Sequence, residues 1–247
     1  MKIFIPMAGK GTRLRPFTLT CPKPLINVLD KPIVEHLIDQ ITSKVKSNIE
    51  EIVYILGDES YFNAEVVNSL NIISEKYNAK TKIYRQLEQL GTGHAIMCAE
   101  ESLSGPSIIA YADTMIQGNI EIDTQVDGIM WVKKVDNPSA YGVVNLDNEN
   151  KITELIEKPA KFISDLAVVG IYYFKEAENL RGYLRKHLSE KLSPGKEYLL
   201  NYGIEKMIKN GDSFVPKEID IWMDCGTPEL LLNSTKIIMD TYHDNVD

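Results

Sequence analysis

The first 29 residues carry five cationic side chains and no carboxylate: Lys2, Lys10, Arg13, Arg15 and Lys23. Since the whole chain has a formal net charge of −8 and this segment contributes +5, the remaining residues sum to −13. Gly9 and Gly11 directly follow a short apolar run, and glycine leaves the backbone N–H groups of a turn open to a ligand. A cationic turn of this kind predicts an anion site, and phosphate is the natural ligand.

The glycine turn departs from two common phosphate-binding loops. A dinucleotide-binding fingerprint needs a third glycine at position 14, where this chain has Leu14. The P-loop string G-x-x-x-x-G-K-[ST] does not occur in the sequence. A lone G-x-G is most often a tight turn, and clustered Lys and Arg most often form a solvated face. The combination of both in one segment is more specific than either part.

A single carboxylate follows a central apolar run. Asp113 comes directly after residues 107–112, which we expect to form a buried strand. A charged group at the carboxyl end of such a strand is poorly explained by packing, and Mg²⁺ is usually held by one or two carboxylates plus substrate phosphates. Asp is also common in turns, so a turn or helix-cap role stays open.

A second glycine-containing stretch, QLEQLGTGHA, occupies residues 86–95. Its glycines permit a close backbone approach, and the amide of Gln86 offers both a donor and an acceptor. An amide of this kind can read the edge of a pyrimidine base. An ordinary loop that caps a following helix explains the same residues equally well.

Strands and helices alternate along the first half of the chain, which predicts a doubly wound α/β fold with a mostly parallel mixed sheet flanked by helices. Ligands in such sheets bind beyond the carboxyl ends of the strands. Thr227 and Pro228 predict the start of a final helix, and Gly211 predicts the end of an earlier one. We expect strands over residues 2–7, 51–56, 82–85, 107–112, 126–135, 141–144, 151–156, 167–174 and 219–222, and helices over residues 32–45, 61–77, 93–103, 176–187 and 197–210.

The composition is that of an ordinary globular protein, with 44% apolar and 25% charged residues in a chain of 247. No apolar run reaches about 18 residues, and the N-terminus lacks a signal-peptide core, so we expect no membrane span. Three scattered cysteines favour a reducing compartment, and we expect a cytoplasmic protein. The acidic balance argues against nucleic acid as a partner.

Two strings near the N-terminus resemble the signature of the sugar-phosphate nucleotidylyltransferases, also called nucleotide-sugar pyrophosphorylases. They are GKGTRL at residues 9–14 and PKPL at residues 22–25, against a family pattern of roughly G-x-G-T-R-L and then P-K-x-[LM]. WMDCGTPE at residues 222–229 is similar to the family's W-x-D-x-G-T-P. The resemblance covers residues 2 to about 231 and implies a Rossmann-like nucleotidyltransferase fold. It also implies transfer of a nucleotidyl group from a nucleoside triphosphate, with UTP or dTTP preferred, to a sugar 1-phosphate.

The resemblance assigns roles by position, within one domain whose nucleotide-binding half is residues 1–125 and whose β-rich, sugar-phosphate-binding half is residues 126–247. It implies catalytic roles for Arg13, Lys23 and Asp113. It implies nucleotide contacts from Ala8, Gly9, Gly11, Thr12, Gln86, Gly91 and Thr92. It implies sugar-phosphate contacts from Gly142, Glu157, Lys158, Gly170 and Trp222, and a Mg²⁺ ion held by Asp113 and Asp224.

The chain departs from the family pattern in two places. Ala112 precedes the predicted metal ligand where the family usually has glycine, and residues 201–203 read Asn-Tyr-Gly where the family often has Thr-Asp-Ala. The second departure puts in doubt any role for an aspartate there and bears on the preferred sugar.

Other functions remain open from the sequence. They are a cytidylyltransferase acting on a non-sugar phosphate, a non-catalytic nucleotide- or sugar-phosphate-binding regulator, and a nicotinamide dehydrogenase, against which Leu14 argues. The sequence also leaves open whether the protein is a homo-oligomer, and whether it is a short-form enzyme or one domain of a longer one.

Overall fold

The computed structural model describes residues 1–45, 47–118 and 120–244. The strands in these ranges are β1 (Lys2–Pro6), β2 (Asn27–Val28), β3 (Lys31–Pro32), β4 (Glu51–Leu56), β5 (Lys80–Arg85), β6 (Ser107–Ala110), β7 (Thr114–Gln117), β8 (Gly128–Lys134), β9 (Gly142–Leu146), β10 (Ile152–Glu157), β11 (Leu166–Phe174), β12 (Phe214–Glu218) and β13 (Ile221–Asp224). The helices are α1 (Ile33–Lys44), α2 (Ala64–Glu75), α3 (Thr92–Cys98), α4 (Ala177–Leu188), α5 (Leu200–Lys209) and α6 (Pro228–Asp244).

A nine-stranded mixed sheet forms the centre of the molecule. Seven of its strands follow the order β10-β9-β11-β6-β1-β4-β5, while β8 pairs with β11 and β12 pairs with β8. The strands β6, β1, β4 and β5 are parallel to one another. The long strand β11 joins this parallel part to the second half of the chain, because it runs antiparallel to β6, β8 and β9. The expected α/β fold with a mixed, helix-flanked sheet is confirmed.

Apolar cores lie on both faces of the sheet, as the alternation of side chains along β1 requires. Ile3 and Ile5 pack on one face with α1 and α2, and Phe4 packs on the other with α3, α4 and α5. Both faces of the central strands are therefore dry, which is typical of parallel strands covered by crossover helices.

A separate two-stranded ribbon places two chain segments that are far apart in sequence next to each other. Strand β7 runs antiparallel to β13, with Thr114 opposite Asp224 and Ile116 opposite Trp222. A third apolar cluster, which includes Met115, Met223 and residues of α6, supports this ribbon. The ribbon thus brings the residues around Asp113 and Asp224 together.

The observed elements differ from the predicted ones in a few places. Strands β7 and β12 lie outside the predicted strands. Helix α3 ends at Cys98 rather than near residue 103, and α5 begins at Leu200 rather than at residue 197. Of the helices in the described ranges, none has both the length and the apolar content that a membrane crossing requires.

Candidate active site

A cleft of about 390 Å³ opens at the carboxyl ends of the central strands. It brings together nine of the residues singled out from the sequence. They are Arg13, Thr92, Asp113, Gly142, Glu157, Lys158, Gly170, Trp222 and Asp224. Seven others do not line the cleft: Ala8, Gly9, Gly11, Thr12, Lys23, Gln86 and Gly91.

The two predicted metal ligands form a carboxylate pair at one end of the cleft. The β7–β13 ribbon sets their spacing, because the backbone N–H of Cys225 donates to the carbonyl oxygen of Asp113 at 3.0 Å. The backbone N–H of Gly226 donates to Oδ1 of Asp224 at 2.6 Å. Burial and the negative charge of Asp113 raise the pKa of Asp224. Like charges held this close favour a cation between them.

The donor set at this carboxylate pair fits Mg²⁺. In the described ranges no group of three or more His, Cys, Asp or Glu side chains stands in a metal-binding arrangement. An ion bound by Asp113 and Asp224 would therefore complete its shell with oxygen atoms of water or of a phosphorylated ligand. Mg²⁺ is held in this way more often than the metals that need closed protein cages.

Lys23 lies beside the carboxylates although it does not line the cleft itself. Its Nζ is 2.9 Å from Oδ2 of Asp113, and its side chain is only 11% exposed. It sits in a short 3₁₀ turn at Lys23–Leu25. Because a Cβ on Gly11 would lie 3.0 Å from Cβ of Lys23, glycine at this left-handed position (φ +59°) lets the turn and the lysine pack together. The glycine turn therefore shapes the surroundings of the lysine.

The N-terminal loop is anchored by two residues that the sequence did not single out. The hydroxyl of Thr18 donates to the carbonyl oxygen of Gly11 at 2.8 Å. The hydroxyl of Tyr61 donates to the carbonyl oxygens of Thr18 and Cys21 at 2.7 and 3.0 Å. These bonds fix the loop that presents Arg13, which is exposed on the 3₁₀ turn Thr12–Leu14 and lines the cleft. Gly9 has open space around it, as a contact between backbone and ligand requires.

In the stretch from residue 86 to residue 95, several polar groups bind within the protein. Gln86 is buried, and its Nε2 donates to the carbonyl oxygen of Gly91 at 3.0 Å and lies 3.1 Å from Nδ1 of His94. Oγ1 of Thr92 accepts a hydrogen bond from the backbone N–H of Leu200. A Cβ on Gly91 would lie 2.6 Å from the carbonyl oxygen of Tyr198. The glycine is thus needed for packing, and a role for these residues at a base remains a prediction.

The other end of the cleft is a polar cluster around Glu157. Nδ2 of Asn201 donates to Oε2 of Glu157 at 2.8 Å, and Nζ of Lys158 lies 3.9 Å from Oε1. Lys158 has a left-handed backbone (φ +44°), which turns its side chain away from the line of β10, and its N–H donates to the carbonyl oxygen of Tyr141. A Cβ on Gly142 would lie 3.2 Å from Oε2 of Glu157. This end offers acceptors, donors and one cation, as a phosphorylated polyol requires.

Aromatic side chains form the wall between the two ends. The ring of Tyr111 lies edge-on to Tyr172, with 5.9 Å between the ring centres, and burial raises the pKa of Tyr111 to about 12. Trp222 lies edge-on to Tyr141 at 4.9 Å. Its Nε1 is buried and finds no hydrogen-bond partner within the described part of the chain. The sequence analysis passed over the three tyrosines, although the position of Tyr111 just before Asp113 is a signal that could have found it.

The description "Nucleotidyl transferase" belongs to the family model that matches residues 4–241 of the chain. The bifunctional protein GlmU of Methanococcus maripaludis is 34% identical over 232 residues, which is 92% of this chain and 52% of that protein. The chain therefore spans about half the length of the GlmU proteins that it matches. The UTP–glucose-1-phosphate uridylyltransferase AglF of Haloferax volcanii is 30% identical over 239 residues, and the match covers 93% of both chains.

Solved structures share the fold over nearly the whole chain. A putative glucose-1-phosphate thymidylyltransferase from Bacillus anthracis superposes with a TM-score of 0.79 at 23% identity, covering 96% of this chain and 94% of that one. A UDP-glucose pyrophosphorylase solved with UDP-glucose gives a TM-score of 0.77 at 22% identity, covering 97% and 98%.

Proposed function

The chain belongs to the nucleotidyl transferase family, and from that premise we propose that it transfers a nucleotidyl group from a nucleoside triphosphate to a sugar 1-phosphate, releasing pyrophosphate. One observation carries the proposal. A single cleft has a carboxylate pair with Arg13 at one end and the Glu157–Lys158–Asn201 cluster at the other. The first end suits a triphosphate, and the second suits a phosphorylated sugar.

The reaction is an in-line displacement at the α-phosphorus of the nucleoside triphosphate. A phosphate oxygen of the sugar 1-phosphate forms the new P–O bond, and the bond from the α-phosphorus to the bridging oxygen breaks, so that pyrophosphate leaves with the electron pair. The protein contributes position and charge rather than covalent chemistry. Two anions must approach each other, which explains the cationic groups in an otherwise acidic chain.

Each polar side chain has a task in this scheme. Arg13 and the backbone around Gly9 bind the triphosphate and the departing pyrophosphate. Lys23, next to the carboxylates, stabilises negative charge that develops at the α-phosphate. Glu157 accepts hydrogen bonds from sugar hydroxyls, and Lys158 binds the sugar phosphate.

Asp113 and Asp224 would hold Mg²⁺, which, when bound, neutralises and aligns phosphate oxygens. The raised pKa of Asp224 supports this assignment, because a cation removes the repulsion that raises it. The two carboxylates keep the metal end of the cleft distinct from the sugar end.

UTP is the favoured nucleotide, with dTTP as the second choice. The relative that matches this chain over 93% of both lengths is named for UTP and glucose 1-phosphate. The chain's own departure at Asn201 lies at the sugar end, so the sugar is best identified by experiment.

The test is the release of pyrophosphate with Mg²⁺, crossing UTP, dTTP, CTP, ATP and GTP against a panel of sugar 1-phosphates. We expect release that requires both substrates, with the nucleotide sugar identified by mass spectrometry, and its loss on chelation of the metal. The Asp113→Asn variant is the control for contaminating activity. Binding of a triphosphate without release across the panel would refute the proposal in favour of a regulator, and release with CTP and a non-sugar phosphate alone would favour the cytidylyltransferase.

A further inference from the structure

The segment of residues 197–201 runs between the two ends of the cleft and is bonded to both. At one end, the backbone N–H of Tyr198 donates to the carbonyl oxygen of Leu90 at 2.8 Å, and its carbonyl oxygen accepts from the N–H of Gly93 at 2.7 Å. The backbone N–H of Leu200 donates to Oγ1 of Thr92 at 3.0 Å. These bonds fix the segment against the stretch from residue 86 to residue 95.

The same segment reaches the sugar end of the cleft. Leu199 and Asn201 line the cleft, and Asn201 is bonded to Glu157. Asn201 is buried, so its side chain has little freedom to adjust on its own. A shift of the segment would therefore move groups at both ends of the cleft together.

A cluster of aromatic rings holds the segment from the side away from the cleft. The ring of His187, at the end of α4, stacks on Tyr202 with 3.7 Å between ring centres and a 9° angle between planes. It also meets the ring of Tyr198 edge-on at 5.2 Å. His187 is buried although it is polar, and it does not line the cleft.

Glu190 closes this cluster. Nδ1 of His187 lies 3.2 Å from Oε2 of Glu190, and because an ionised carboxylate only accepts, Nδ1 carries the hydrogen. The hydroxyl of Tyr202 donates to Oε1 at 3.0 Å, and the hydroxyl of Tyr198 donates to the carbonyl oxygen of Glu190 at 2.8 Å. Hydrogen bonds from His187 and Tyr202 lower the pKa of Glu190, so its charge persists. His187 thus fixes the ring and the backbone on which Tyr198 rests.

We propose that His187 is a positioning residue for the proposed reaction: through Glu190 and Tyr198 it holds residues 197–201 in place and so sets the fit of both substrates. The inference rests on the proposed function. A histidine that only packs α4 against α5 would contribute to stability alone. A positioning residue must also change the behaviour of residues that it does not touch, such as Gly93.

The test compares His187→Ala and Glu190→Ala with the wild type and with Lys186→Ala, an exposed neighbour on the same helix. Hydrogen exchange is measured for the amides of Gly93 and Leu200, and steady-state kinetics are measured for both substrates well below the melting temperature. We expect His187→Ala to speed exchange at both amides about tenfold and to lower kcat/KM about tenfold for the nucleotide and for the sugar phosphate. Glu190→Ala should change both in the same direction, about threefold, while Lys186→Ala matches the wild type.

Wild-type exchange at Gly93 together with wild-type kcat/KM in folded His187→Ala would overturn the inference, and so would a lower melting temperature with both quantities unchanged. If His187→Ala does not fold, Glu190→Ala decides, since Glu190 is exposed and its loss leaves the packing intact. Absence of turnover in the wild type would refute the proposed function, whereas the exchange rates would still report on the cluster.

Discussion

Replacing Gly170 by alanine separates a backbone requirement from a contact in the wall of the cleft. Gly170 has φ +85°, a conformation that costs a residue with a Cβ about 1–2 kcal/mol. The added Cβ would also lie 2.6 Å from Cδ2 of Tyr111, well inside contact distance. Tyr111 cannot swing freely because its ring packs against Tyr172. Crowding of this kind adds about 1–3 kcal/mol, so the total loss of stability is about 2–5 kcal/mol.

The matched control is Gly195→Ala. Gly195 has a similar φ of +80° but has no atom within 4 Å of the position of its Cβ. It carries the backbone cost alone, and the effect of alanine on the unfolded chain is the same in both variants. The difference between the variants therefore isolates the contact with Tyr111.

Thermal unfolding and kinetics measure both parts. For a chain of this size each 1 kcal/mol corresponds to about 2–4 °C in Tm. We expect Gly195→Ala to lower Tm by no more than about 8 °C and to leave turnover unchanged. Gly170→Ala should melt about 2–12 °C below Gly195→Ala, with a lower kcat/KM because Tyr111 is displaced in the cleft. Equal Tm values for the two variants would refute the contact argument, and a normal kcat/KM in Gly170→Ala would refute the role of this wall.

Three further predictions follow from the charges at the site. Arg13→Ala, Lys23→Ala and Asp113→Asn should each lower turnover by about 10²-fold or more, because each removes a preorganised electrostatic group; near-normal turnover in all three folded variants would contradict the assignment. Asp224→Asn should raise Tm at pH 7 while it abolishes turnover: the pKa of Asp224 is raised by burial and by Asp113, so the unfolded chain ionises first and the charge costs stability above about pH 4. This gain in Tm should shrink as the pH falls below that value, and a gain that persists at pH 3 would argue against the titration. Glu157→Gln should raise KM for the sugar phosphate about tenfold with KM for the nucleotide unchanged, since a hydrogen bond to a charged group is worth about 1.5–3 kcal/mol; equal changes in both would show that Glu157 does not act at the sugar end alone.

Periodicity was sufficient to predict most of the fold. Buried parallel strands such as β4 are continuous apolar runs, and the capping residues were read correctly. The N–H of Gly211 (φ +99°) donates to the carbonyl oxygen of Ile208 just after α5, and Oγ1 of Thr227 accepts from the N–H of Leu230 at the start of α6. Such signals are local, so a single sequence contains them.

The two missed strands lacked local signals. Strand β12 contains Pro216, which argues against a strand, but β12 pairs only with β8 and proline is tolerated at a sheet edge. Strand β7 is four residues long, and its partner β13 lies about 100 residues further along the chain. Pairing over such distances leaves no trace in either segment alone.

Motifs identified candidate residues for the site but not their partners. The Lys23–Asp113 pair spans 90 residues, and the Asn201–Glu157 bond spans 44. Neither follows from spacing. Gly91 was read as a ligand contact, yet its neighbour in the structure is the backbone of Tyr198. A glycine in a sequence shows that something comes close, without showing whether it is a ligand or the protein itself.

The β7–β13 ribbon also has a consequence for how the protein is made. Asp113 and Asp224 are roughly 110 residues apart, and synthesis at about 5–20 residues per second separates their appearance by roughly 5–20 seconds. During that interval the parallel half of the sheet can form around β1, β4, β5 and β6, but the second carboxylate does not yet exist. Closing so long a loop costs entropy before any contact compensates for it. We therefore expect the carboxylate pair to be assembled late in folding, after the apolar cores have made the surrounding framework.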